Sequence, residues 1–147
     1  MSKALERLRR LRTMEEEQRS AALESALGEL HALERARDAA GRSERQGRER
    51  VALSATSGDS VDRLAGLVEI ECARRRARQL ALRIIAAEQE TGRRRKELLD
   101  KRVELRQVGT LIEKAEAREE IESGRRSQRT VDDWYGARRQ RQGGDAE

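Results

Sequence analysis

The sequence predicts an all-α fold: an antiparallel two-helix coiled-coil hairpin with unequal arms. Three observations carry this. Ala, Glu, Lys, Leu and Arg supply 90 of the 147 residues, the bias of long helices. Proline and phenylalanine are absent, with one Trp and one Tyr, and Leu, Ile and Val total only 27, too few for a compact core or a β-rich fold. Two long stretches carry heptad periodicity on either side of a single small, polar cluster. The charges are nearly balanced, 33 basic against 28 acidic. With the periodicity, this argues against disorder.

The first helix is expected over residues 3–53. Leu5, Leu8 and Leu11 open its stripe. A clearer heptad follows, with Leu23, Leu30, Arg37, Glu44 and Val51 at one position and Ala26, Leu33 and Ala40 at the other. Spacings of three and four place each set on one face. The two stripes differ in phase by about one residue, the drift of a 3.6-residue turn against a 3.5-residue repeat.

A turn is expected over 54–60, where Ser54-Ala55-Thr56-Ser57-Gly58-Asp59-Ser60 gathers small polar residues. Asp59 or Ser60 is placed to cap the helix that follows.

The second helix is expected over 61–141, with a frayed tail at 142–147. One seam position reads Ile70, Ala77, Ile84, Thr91, Leu98, Leu105, Ile112, and the other Ala73, Leu80, Ala87, Arg94, Lys101, Val108, Ala115. That is nearly seven heptads in one register. The seam weakens over 91–101, where Thr91, Gly92, Arg94 and Lys101 dilute it.

Folding the chain at Gly58 pairs residues whose numbers add to about 114. Leu30 then faces Ile84, Leu33 faces Leu80 or Ala81, and Ala26 faces Ala87 or Glu88. Leu5 and Leu8 reach Val108 and Leu105. The arms come to roughly 75 Å and roughly 120 Å at 1.5 Å per residue. The second overhangs the first from near Ile112, carrying Ile121, Val131, Trp134 and Tyr135 without an intrachain partner. Such a pair of helices buries little area and is expected to gain stability from a bound partner.

Residues that could carry chemistry are sparse. His31 is the lone histidine and reads as a flank residue, and Cys72 as a small solvent-side residue without a histidine to activate it. No phosphate-binding glycine loop is present; Gly41, Gly47, Gly66, Gly92, Gly109 and Gly124 are scattered singly and read as soft points costing about 1 kcal/mol each. Acidic runs such as Glu15-Glu16-Glu17 read as solvated helix surface, with no apolar pocket to shift their pKa values. No catalytic residue, metal site or cofactor is expected. No apolar run approaches the roughly 20 residues of a membrane span, and the N-terminus lacks a signal-peptide core, so a cytoplasmic location is expected. The arginine runs at 7–12, 74–78 and 93–96 are interleaved with acids and lack stacking aromatics, which disfavours nucleic acid as a partner.

The most distinctive segment is 125–139, Arg-Arg-Ser-Gln-Arg-Thr-Val-Asp-Asp-Trp-Tyr-Gly-Ala-Arg-Arg. It holds both aromatics of the chain between arginines. Trp134 reads either as the anchor of a helix end or as a group that fills a partner's pocket, since Trp, Tyr and Arg dominate interface energetics.

In Gln128, Arg129, Val131, Asp132, Asp133 and Trp134, followed by Arg138 and Arg139, on a proline-poor hairpin of about this length, the chain resembles the stalk proteins of type III export. These are the flagellar FliJ proteins and their injectisome counterparts of the YscO type. The Asp-Asp-Trp form leans towards the injectisome branch. Aromatics on the arms, common in flagellar members, are absent. The resemblance implies a non-enzymatic stalk that enters the central hole of a hexameric export ATPase, promotes its assembly and ATP hydrolysis, and links it to a membrane export-gate protein, with secretion chaperones as further candidate partners. It implies a cytoplasmic protein held at the inner membrane through the export apparatus, without insertion of its own. The contacts it implies for the ATPase are Leu5, Leu8, Leu11, Gln128, Arg129, Val131, Asp132, Asp133, Trp134, Tyr135, Arg138 and Arg139, with the turn near Gly58 towards the gate. The rival readings are a generic coiled-coil scaffold or homodimer paired between chains, and a basic nucleic-acid-binding rod.

Overall fold

The computed structural model describes residues 2–144. Two α-helices account for nearly all of them, α1 (Lys3–Ser57) and α2 (Ser60–Gly144), and no strand occurs among the described residues. They pack antiparallel as a hairpin of unequal arms, 55 and 85 residues long.

The linker is shorter than the sequence suggests. The turn expected over 54–60 shrinks to Gly58 and Asp59, because the hydroxyls that suggested it bond back into α1. Ser54 Oγ donates to the carbonyl of Val51 at 2.7 Å and Thr56 Oγ1 to that of Leu53 at 2.8 Å. Gly58 ends α1 at φ 72°, and its N–H donates to the Ser54 carbonyl at 2.9 Å, closing the helix with a left-handed residue. Asp59 is the cap of α2: its Oδ1 accepts from the N–H groups of Val61 at 3.0 Å and Asp62 at 3.2 Å. At the other end, residues 142–144 of the expected frayed tail continue α2, and 145–147 lie outside the described residues.

The chain divides into two compact units, Glu16–Asp100 and Met1–Glu15 with Lys101–Glu147. In the first, the α2 seam is buried at Ala73, Leu80, Ile84, Thr91 and Leu98 and half-buried at Ile70, Ala77, Ala87 and Arg94. The α1 side is buried at Ala26 and Ala40 and half-buried at Leu23, Leu30, Leu33, Glu44 and Val51. Arg37 is a correction: it is exposed, and the neighbouring Ala36 is half-buried instead. A guanidinium so close to a narrow seam would have to be desolvated, and it stays in water. The row Ala26, Leu33, Ala40 continues through Gly47 and Ser54, both buried.

Gly47 and Gly66 are not soft points. A Cβ on Gly47 would lie 2.8 Å from the Gly66 carbonyl oxygen and 2.8 Å from Ile70 Cγ1; one on Gly66 would lie 2.8 Å from the Gly47 carbonyl oxygen. The helices cross there backbone to backbone, a contact only glycine permits. The other four glycines named above have no atom within 4 Å of a Cβ position.

In the second unit, Val108 and Ile112 are buried, and Leu5, Leu8, Lys101, Leu105 and Ala115 are half-buried. Ion pairs fix the register in each unit. Arg12 meets Glu104 at 3.0 Å, Lys101 meets Glu15 at 3.3 Å, and Arg19 meets Glu97 at 3.5 Å. Each pair of numbers adds to 116, two beyond the expected 114, so the pairing is centred on residue 58 and not on residue 57, the middle of the turn expected over 54–60.

Candidate partner-binding segment

In the unit of Met1–Glu15 with Lys101–Glu147, α2 is covered as far as Ile112, which is 4% exposed, and the half-buried Ala115. From Glu116 to Gly144 every residue is exposed. These 29 residues form a helix with no apolar cover of its own. It is held along its length by bonds one turn apart: Arg126 Nη2 to Glu122 Oε1 at 3.0 Å, Gln128 Nε2 to Asp132 Oδ1 at 3.0 Å, and Thr130 Oγ1 to the Arg126 carbonyl at 3.0 Å. The two side-chain pairs are surface bonds worth a few tenths of a kcal/mol each, and the threonine hydroxyl only bonds back to the carbonyl one turn before it.

The two aromatics sit together. The Trp134 and Tyr135 rings lie 5.1 Å apart, edge to face at 78°, and Arg138 Cζ lies 5.4 Å from the Trp134 centroid. Trp134 is still 56% exposed. An anchor of the helix end would have to pack against the rest of the hairpin; Trp134 packs on Tyr135 and Arg138, its neighbours on α2. Holding a large apolar surface in a defined pose before contact lowers the ordering cost of docking.

The segment has two faces. Val131, Trp134 and Arg138, spaced by three and four, share one. Arg118, Ile121, Arg125 and Arg129 share another and, with Glu122 and Arg126, line a shallow open groove. The sequence reading named Arg129 and Ile121 but not this grouping, although the spacing of 118, 121, 125 and 129 was there to be read.

Among the other expected contact residues, Leu5 and Leu8 are half-buried against α2 and Leu11 is 50% exposed. Arg129, Val131, Asp132, Asp133, Tyr135 and Arg139 are all exposed. The fold does not bring the two groups together. In the observed register Leu5 stands level with residue 111, so Trp134 lies about 35 Å farther along α2. The N-terminal leucines and the aromatic segment are two separate patches.

Beside the leucines Arg12, Glu15, Lys101 and Glu104 form a charge cluster. Glu15 is held below its ordinary range by a hydrogen bond from Arg12 and by Lys101. Lys101 is held above its own by hydrogen bonds to Glu104 and Glu15, and Arg12 is raised chiefly by its hydrogen bond to Glu15. All are half-buried with part of each side chain in water, which screens them, so they orient the helices more than they stabilise them. Among the described residues, no group of three or more His, Cys, Asp or Glu is placed to hold a metal ion, and no helix is long and apolar enough to cross a membrane.

Fold and segment together define a class: a helical-hairpin protein with a long, solvated C-terminal helix that exposes aromatic and basic groups. The chain matches the family of the flagellar FliJ protein over residues 1–144 and belongs to that family. The family is a component of the flagellar type III export apparatus. The match is to the flagellar branch, not to the injectisome branch suggested by Asp132-Asp133-Trp134; it spans the whole helical pattern, whereas that lean rested on three residues. No curated protein and no solved structure gives a significant match to the chain.

Proposed function

We propose that the protein is the non-enzymatic central stalk of its export apparatus, which binds and activates the hexameric export ATPase and connects it to the membrane gate protein. Family membership supports the setting. The observation that carries the finer reading is the exposed helix 116–144, with Trp134 posed between Tyr135 and Arg138 and not buried by any of the described residues. A helix seated among six equivalent subunits presents a different side chain to each, and so favours different states in them. Trp134, with Gln128, Val131, Asp132, Asp133, Tyr135 and Arg138, would make the inner contact. Arg129 and Arg139 would meet acidic groups, and Leu5, Leu8 and Leu11 a second zone. The hairpin turn would face the gate, and the protein would sit at the inner membrane only through these partners.

The test is ATP hydrolysis by the cognate ATPase with and without the purified chain. Activation is expected. Trp134→Ala is expected to raise the concentration needed by roughly thirtyfold, the loss of about 2 kcal/mol typical of an interface anchor. No activation by the wild-type chain would overturn the reading. Activation unchanged by Trp134→Ala would remove that residue from it.

A further inference from the structure

The first turns of α1 are held differently from the rest of that helix. Its buried residues are Ala26, Ala40, Gly47 and Ser54, all in the unit of Glu16–Asp100. None of residues 3–15, which belong to the other unit, is buried. Of the large apolar side chains in that stretch, Leu5 and Leu8 are half-buried, while Leu11 and Met14 are 50% and 56% exposed. The seam places that follow Leu8, at spacings of four and three, are Arg12, Glu15 and Arg19. No large apolar residue of α1 is even half-buried again before Leu23.

The stretch of α2 in the same unit is the opposite. Val108 and Ile112 are buried, and Leu105 is half-buried. The α1 groups set against it are mostly polar: Arg12 on Glu104, Glu15 on Lys101, and Arg9 and Thr13 lining a groove with Leu105 and Ile112. Residues 3–15 thus shield an apolar stripe of α2 without fully burying any side chain of their own. A stretch with few buried apolar groups opens before the better-packed parts of a structure. Once Leu5 and Leu8 let go, the ion pairs stand in water and hold little. The next apolar hold, at Leu23, lies two turns beyond Glu15. A detached helix as short as 3–15 is marginal in water, so release and unwinding coincide.

We propose that residues 3–15 of α1 form a detachable strap, which opens as one piece ahead of the rest of the hairpin and bares Leu105, Val108 and Ile112 next along α2 to the exposed helix 116–144. This goes beyond the stalk reading and is tested on the chain alone, so the two can fail separately.

In a Cys72→Ser background, Val108→Cys and Thr91→Cys each put a thiol of similar size at a buried site, the first under the strap and the second outside it. With each rate divided by its value in the urea-unfolded chain, labelling by a water-soluble disulfide reagent is expected to be roughly tenfold faster at 108 than at 91. Glu15→Arg, which sets a third cation beside Arg12 and Lys101, is expected to speed labelling at 108 further and leave 91 unchanged. Amide exchange separates a strap from ordinary fraying of a helix end. Residues 7–15 should share one protection factor, with a step to higher protection before Leu23, whereas fraying gives a smooth gradient. Equal labelling at 108 and 91 would overturn the proposal. So would a rate at 108 indifferent to Glu15→Arg, or protection that rises smoothly from residue 7 to residue 30.

Discussion

Gly47 and Gly66 show how much one missing methyl group can decide. Alanine is the better helix former by about 1 kcal/mol, so substitution in an open stretch stabilises. At these two positions a Cβ would collide with the opposite backbone, which cannot swing aside as a side chain does. Gly47→Ala and Gly66→Ala are therefore expected to destabilise by about 1–3 kcal/mol through overpacking, while Gly92→Ala, with open space around it, is expected to stabilise by up to about 1 kcal/mol. Urea unfolding followed by circular dichroism distinguishes the two signs. Single ionisable residues give a second expectation. Glu15 and Glu44 are both lowered, Glu15 first by its hydrogen bond to Arg12 and Glu44 first by that to Arg74. A depressed carboxyl favours the folded state above its unfolded pKa and loses that contribution as pH falls through the folded value. Stability should thus decline as pH drops below about 4.5, the ordinary Glu value, and the decline should be shallower in Glu15→Gln and in high salt.

At the scale of the elements, the junction depends on two adjacent caps, Gly58 closing α1 and Asp59 opening α2. Asp59→Ala removes the acceptor for two N–H groups and is expected to cost about 1 kcal/mol, measured by the same unfolding curves. The α2 heptad was legible because seven of its fourteen seam positions from Ile70 to Ala115 carry Leu, Ile or Val, and all fourteen are buried or half-buried. The α1 seam was legible only in part. Past Ala40 it is made of Gly47 and Ser54, small residues that are buried where the helices approach closely and that leave no hydrophobic signal. The linker was overdrawn because Ser and Thr hydroxyls serve helix ends as readily as turns, and the register followed the linker by two residues. In the candidate segment the residue types were legible, but the stacking of Trp134, Tyr135 and Arg138 and the grouping of Arg118, Ile121, Arg125 and Arg129 on another face needed three dimensions.

For the molecule as a whole, the account rests on one chain pairing its own two helices and leaving the end of α2 uncovered. Removing residues 116–144 should therefore cost the hairpin little, since none of them is buried, yet abolish activation of the ATPase. Unfolding midpoints and hydrolysis rates on the same truncated chain would separate the two effects. The most direct test of the pairing is a distance within one molecule. Spin labels at Arg35→Cys and Ala81→Cys, in a Cys72→Ser background, occupy exposed positions whose numbers add to 116. With labelled chain diluted into unlabelled chain, pulsed dipolar spectroscopy should return a single short distance, that of labels on two packed helices whose axes lie about 8–10 Å apart. A long or absent intramolecular distance, with the short one appearing only when labelled chains are mixed undiluted, would mean that the helices pair between chains and would contradict the account.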